Sequence, residues 1–144
     1  MQSIFSVFFA LLFTVSSVVD GDTIKLSNGE TVRLIGVDAP ESRNAFKKKK
    51  AFFGDVSKHY LDSLLTGKKV RLEYDITRKD RYGRTLAYVY LEDGTFINEK
   101  LVREGYATIM TVPPNVRYAD HFFILQQRAR DEHCGLWANN NLIK

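Results

Sequence analysis

Cysteine and proline are scarce in this chain of 144 residues, which has one Cys and 3 Pro. With Cys134 alone, an intramolecular disulfide, a zinc knuckle and a C-x-x-C redox pair are excluded. The 9 Gly follow no period and no internal repeat is found, which removes collagen-like and solenoid architectures. Charge is missing before Asp20, where Ile4 to Val15 form an almost wholly apolar run. That run is too short to span a bilayer but has the length of a signal-peptide core. No Lys or Arg precedes it and no clean small-x-small site follows. Residues 1–15 are therefore expected to be a leader that overlaps the first strand, in a secreted or periplasmic protein. The alternative is a cytoplasmic protein in which Phe13 to Val19, F-T-V-S-S-V-V, is simply the first strand.

What is present suits one compact domain: 44% hydrophobic, 26% charged and 12% aromatic residues, enough apolar surface to order the chain. The net charge of +4 conceals a segregation. Arg43 to Arg84 hold 13 basic and 5 acidic residues, the remainder 8 and 12. A positive face of this kind suits an anionic partner, nucleic acid first and an acidic membrane surface second.

Short β-rich runs at Phe13 to Val19, Thr23 to Leu26 and Glu30 to Val37 open the domain, the last two joined through Ser27-Asn28-Gly29, a strong hairpin signal. Asp38 to Lys50 reads as a surface loop. Ala51 to Leu65 carries Phe52, Val56, Tyr60, Leu61, Leu64 and Leu65 at helical spacing. Strands at Lys69 to Tyr74 and Thr85 to Leu91 follow, then helices at Ile97 to Glu104 and Tyr118 to His133, the second presenting Phe122, Leu125 and Ala129. The order predicts an α+β, mainly β domain over residues 16–137: a five-stranded OB-type Greek-key barrel with three α-helices, followed by a tail at 138–144.

The candidate chemistry lies at strand ends. Asp20-Gly21-Asp22 and, further on, Asp38-Ala39-Pro40-Glu41 supply carboxylates of the kind that hard divalent cations need. Either segment alone is commonly only turn chemistry. Arg33, on the strand leading to Asp38, and Arg84 add two permanently charged bidentate groups suited to a phosphodiester and the extra charge of its transition state. As surface partners of nearby acids they would mean nothing more.

V-V-D-G-D-T, R-L-I-G-V-D-A-P-E, D-R-Y-G-R-T-L-A-Y, I-N-E-K-L-V-R-E-G-Y-A and a terminal G-L-W, in this order from about Ser16 to Trp137, resemble the staphylococcal nuclease-like (thermonuclease) family. The resemblance implies calcium-dependent, sugar-nonspecific hydrolysis of DNA and RNA to 3′-phosphate products. It makes Asp22, Asp38 and the carbonyl of Ala39 the Ca²⁺ ligands, with Asp20 supporting the metal through water. Glu41 would activate the attacking water, and Arg33 and Arg84 would grip the scissile phosphate. Arg81, Tyr82 and Lys49 would bind substrate, Lys49 within a lysine run that guides the polynucleotide. Ile109 to Pro113 lacks the two tyrosines that line the family's nucleotide pocket, so affinity should lean on charge. The alternative function is a non-catalytic nucleic-acid-binding OB-fold module. A monomer is expected, with no stable membrane association. His121, His133 and Trp137 read as structural, and Cys134 as a small buried residue.

Overall fold

A computed structural model of the protein describes residues 11–41 and 48–138. Most of the apolar leader, Lys47 and the tail from 139 lie outside the described residues. The elements run β1 (Leu12–Asp20), β2 (Thr23–Leu26), β3 (Thr31–Leu34), β4 (Gly36–Asp38), α1 (Lys48–Leu65), β5 (Lys69–Glu73), β6 (Thr85–Leu91), α2 (Ile97–Arg103), β7 (Thr108–Met110) and α3 (Ala119–Asp131), with a final 3₁₀ turn at Gly135–Ala138.

Five strands close a barrel in the order β1-β2-β3-β6-β5, with β5 returning to β1 through Leu12, Phe13 and Thr14 opposite Arg71, Val70 and Lys69. Closure leaves the barrel without open edges. All its pairings are antiparallel except β3 with β6, where Val32, Arg33 and Leu34 face Thr85, Leu86 and Ala87 in parallel. With three helices this is the expected OB-type α+β fold. The β2–β3 hairpin forms as its Asn-Gly predicts: Gly29 has φ +92°, and the Asn28 carboxamide oxygen accepts the Glu30 N–H at 2.9 Å.

Strand alternation sets the core. Val32 and Leu34 of β3 are fully buried with Ile24, Leu26, Val70, Ala87 and Val89, so Arg33 between them is turned away from the interior. The period-2 geometry of one strand thus fills the barrel and delivers an arginine to its outside.

Several expectations need correcting. The run Glu30 to Val37 is not one strand: the chain turns at Gly36, at φ +82°, and Val37 leads a short ribbon in which β4 pairs with β7. A Cβ on Gly36 would lie 2.7 Å from the Phe122 ring, so both the backbone angle and the approach of α3 require glycine there. The ribbon was not foreseen because three-residue strands are too short to show alternation. Helix α1 begins at Lys48, inside the stretch taken as loop, since lysine is a good helix former. Its buried side runs through Phe53, Ser57, Leu61 and Leu65, while Phe52 is 68% exposed. Spacing of four along this face is the more regular stripe. From α3, Phe122, Leu125 and Ala129 are buried as expected.

Asn98 is a wholly buried polar residue of α2. Its side-chain oxygen accepts the Val89 N–H at 2.9 Å, and its amide donates to the carbonyls of Ile35 at 2.8 Å and Ala87 at 3.4 Å. It ties the helix, β6 and the corner between β3 and β4 together.

Candidate active site

The acidic side is built where two strand ends meet. β1 ends on Asp20, which pairs with Thr23 across a tight turn. A Cβ on Gly21 would come within 2.8 Å of the Cβ atoms of both Ala39 and Ser57, so glycine lets this turn lie against the end of β4 and against α1. Asp22 is thereby buried at 7% exposure, and both its oxygens are engaged. The Thr23 hydroxyl donates to Oδ1 and the Ala39 N–H to Oδ2, each at 2.8 Å. The second contact fixes the Ala39 peptide against Asp22.

Arg33 links the two acids. Its Nη2 lies 3.4 Å from Asp22 Oδ2 and 3.4 Å from Asp38 Oδ1. Its Nη1 donates to the carbonyls of Leu34 and Val37 at 2.7 Å each, so the main chain fixes the guanidinium's position. Burial and the neighbouring charge of Asp22 raise the Asp38 carboxyl above its ordinary value, aided by Glu41, although Arg33 pulls the other way. Crowded carboxylates of this kind favour a nearby cation.

The basic side is the β5–β6 connection. Asp80 accepts the N–H groups of Tyr82 at 2.9 Å and Arg84 at 3.0 Å, and Arg84 Nε at 2.7 Å. Burial alone would raise Asp80, but these bonds more than offset it and hold its carboxyl below the ordinary range. Arg84 is thus clamped from behind through Nε. Tyr82 is 68% exposed, with Arg81 donating to its hydroxyl at 2.6 Å and also lying over its ring.

Between the two sides lies a cleft of about 560 Å³, lined by Arg33, Arg81, Tyr82 and Arg84 and floored by apolar groups such as Leu34, Leu86 and Val112. Its far wall is the β7–α3 loop, including Met110 and Pro113 from the stretch expected to face a nucleotide. Asn115 joins the walls: its Oδ1 accepts the Thr77 N–H and its Nδ2 donates to the Thr77 carbonyl, both at 2.8 Å.

Of the residues singled out in the sequence, Asp22, Asp38, Ala39 and Arg33 come together, and Arg84, Arg81 and Tyr82 share the cleft with Arg33. Glu41 is exposed, three residues past Asp38 and near enough to influence its titration. Asp20 closes the strand beside Asp22. Lys49 falls in the first turn of α1, and its side chain lies outside the description. Among the described residues, no group of three or more His, Cys, Asp or Glu side chains is placed to hold a metal ion. What the acidic side offers is an oxygen-only set of two carboxylates and main chain, which suits a hard cation and not zinc. His121 pairs with Glu99 of α2 at 2.9 Å, a tie between helices. Cys134 is half-buried just beyond α3, not buried within it.

Sequence reasoning missed Asn115, Asn98 and Lys79, the last of which lines the cleft with Arg84. An Asn after Pro-Pro reads as turn chemistry, and only the double contact to Thr77 reveals a clamp. For Asn98 a signal existed: an amide on the apolar side of a short helix, at a position no solvent-facing residue would take.

The family model described as Staphylococcal nuclease homologue matches residues 31–139. The thermonuclease of Staphylococcus intermedius is 41% identical over 128 residues, covering 87% of this chain and 75% of that protein. The thermonuclease of Staphylococcus hyicus is 40% identical over 130 residues, 88% and 76% of the two chains. The SPbeta prophage-derived endonuclease YokF of Bacillus subtilis is 38% identical over 135 residues, which is 90% of this chain and 45% of that longer protein. With a barrel that holds two acids against Arg33 at the edge of a cleft lined by arginines, and with these relatives matched over most of its length, the chain belongs to the staphylococcal nuclease family.

Proposed function

We propose that this phosphodiester-hydrolysing nuclease is calcium-dependent and sugar-nonspecific, cutting DNA and RNA to leave 3′-phosphates. The observation that carries the reading is the meeting of Asp22 and Asp38 at one nitrogen of Arg33, on a cleft that Arg84 also lines. A cation held by Asp22, Asp38 and the Ala39 carbonyl would supply Lewis-acid polarisation of the phosphate. The chain's own residues do the rest. Arg33, pinned by two carbonyls, and Arg84, pinned through Nε by Asp80, present guanidinium donors that need no reorganisation as charge builds on phosphorus. Glu41, exposed beside Asp38, takes the proton of the attacking water. The apolar floor receives a sugar or base, and Met110 and Val112 offer it no aromatic face to stack on. Affinity then depends mainly on charge, with Arg81 and Tyr82 at the rim and the lysines around Lys49 guiding the strand.

Export fits weak calcium binding by a sparse ligand set, and cleavage of a leader must fall before Leu12 to leave the pairing of β1 with β5 whole. Among the described residues, no helix is long and apolar enough to cross a membrane. A binding-only module would be expected to have lost one or more of these acids and arginines, and all are present. Digestion of single- and double-stranded DNA and RNA with Ca²⁺, with Mg²⁺ and with chelator tests the reading. Cleavage of both nucleic acids with Ca²⁺ alone is expected, and no cleavage under any metal would leave the binding module.

A further inference from the structure

Beyond the cleft, a second groove of about 410 Å³ opens on the other side of Tyr82. The two share Lys79, Tyr82 and Arg84 as a common wall. The opposite wall is the β2–β3 turn, where Glu30 accepts the Asn28 side-chain amide at 3.2 Å and the Thr85 hydroxyl at 3.0 Å. Those contacts hold a polar, preorganised surface facing two cations. Tyr82, which lines both grooves, accepts a hydrogen bond from Arg81 at its hydroxyl, with the Arg84 guanidinium 5.5 Å from its ring centroid.

We infer that this groove is a subsite for the next nucleotide of a single strand whose neighbour lies in the cleft, the strand crossing between them over Tyr82. The chemistry is complementary on each count: cations for the phosphate, an exposed ring for stacking, and fixed amide and carboxylate groups for a base or sugar edge. A backbone leaving the cleft past Tyr82 and Arg84 meets this groove directly, because the same residues form both walls. The inference rests on the nuclease reading but concerns binding, so it is tested without cleavage.

Fluorescence anisotropy in chelator, with a labelled dinucleotide and the same probe extended by one or two nucleotides at either end, reads the subsite. The wild-type protein should bind the probe extended at one end about tenfold more tightly. Asn28→Asp keeps the oxygen that accepts the Glu30 N–H, loses the amide donor and adds a negative charge. It should abolish that gain while changing dinucleotide affinity less than about twofold. Thr31→Lys, which adds a cation to the same wall, should enlarge the gain. No gain from extension at either end, a gain unchanged in both variants, or equal weakening of short and long probes by Asn28→Asp would overturn the proposal. Failure of the nuclease reading would appear separately, as absent cleavage with this binding pattern intact.

Discussion

Replacing Asn98 by alanine should damage both stability and the site. The side chain is wholly inaccessible and serves the Val89 N–H and the Ile35 carbonyl at 2.9 and 2.8 Å, with a longer contact to Ala87. Truncation leaves a buried donor and a buried acceptor unpaired, each costing about 1–3 kcal/mol, and opens a small cavity. A loss of roughly 3–5 kcal/mol follows, a large part of the roughly 5–15 kcal/mol available to a domain of this size. Asn98→Asp should be worse, because it keeps the acceptor for Val89 but sets a carboxylate against two carbonyl oxygens without water. The assay is urea unfolding of the wild type and both variants, comparing midpoints at matched slopes. Turnover measured under conditions where each variant is folded reads the second effect. Ile35 stands at the corner that aims Asp38, so released variants should turn over more slowly than their folded fraction explains. A loss below about 1 kcal/mol for Asn98→Ala would refute the reasoning, since two orphaned buried groups cannot cost so little.

Four further outcomes are expected. Glu41→Gln and Arg84→Ala should each lower turnover by about 10²–10³ while retaining most nucleotide binding, as steady-state kinetics beside equilibrium binding would measure; near wild-type cleavage in both would contradict their roles. Affinity for single-stranded DNA should fall steeply with salt, and a dissociation constant unchanged between low and moderate salt would contradict charge-led binding. Gly36→Ala should cost about 2–4 kcal/mol, from a residue forced to φ +82° and a Cβ driven to 2.7 Å from Phe122, and thermal unfolding would report it. Burial alone would raise Asp75, but the Tyr88 hydroxyl at 2.7 Å and the N–H groups of Arg117 and Ile76 hold its carboxyl below the ordinary value of about 3.8. Its stabilising effect is complete above that value and fades as pH falls through the lower folded one. Asp75→Asn should therefore lower stability at neutral pH by no more than about 1 kcal/mol, since solvent screens so open a carboxyl, with the difference closing below about pH 4 in denaturation curves taken across pH.

The barrel was legible because each long strand carries its own alternation and the Asn28-Gly29 turn names its hairpin. The site was partly legible for a related reason. Arg33 sits between Val32 and Leu34, and once those two are assigned to the core the arginine must point outward. Asp22 and Asp38 could be placed at strand ends, but nothing local says that both reach the same nitrogen of Arg33. That convergence depends on Gly21 lying against Ala39 and on the Ala39 N–H bonding to Asp22, contacts between segments far apart in sequence. The β4–β7 ribbon and the Asn115 clamp were illegible for the same physical reason: they are short and owe their form to partners elsewhere. On α1 the expected face holds at Tyr60, Leu61, Leu64 and Leu65 and fails at Phe52, where the adjacent Phe53 turns inward instead, a choice between neighbours that only the packed fold decides.

The pairing of β3 with β6 also bears on how the protein comes into being. Asp22, Arg33 and Asp38 leave the ribosome early, yet the barrel can close only after Thr85 to Ala87 are available to lie beside Val32 to Leu34. The cleft waits longer still, for Asn115 to clasp Thr77 and for Phe122 to settle over Gly36. A growing or truncated chain therefore carries the charges of a nuclease without the cavity that aims them. The order of translation therefore leaves the cutting site unfinished until α3 has been made and can pack on Gly36.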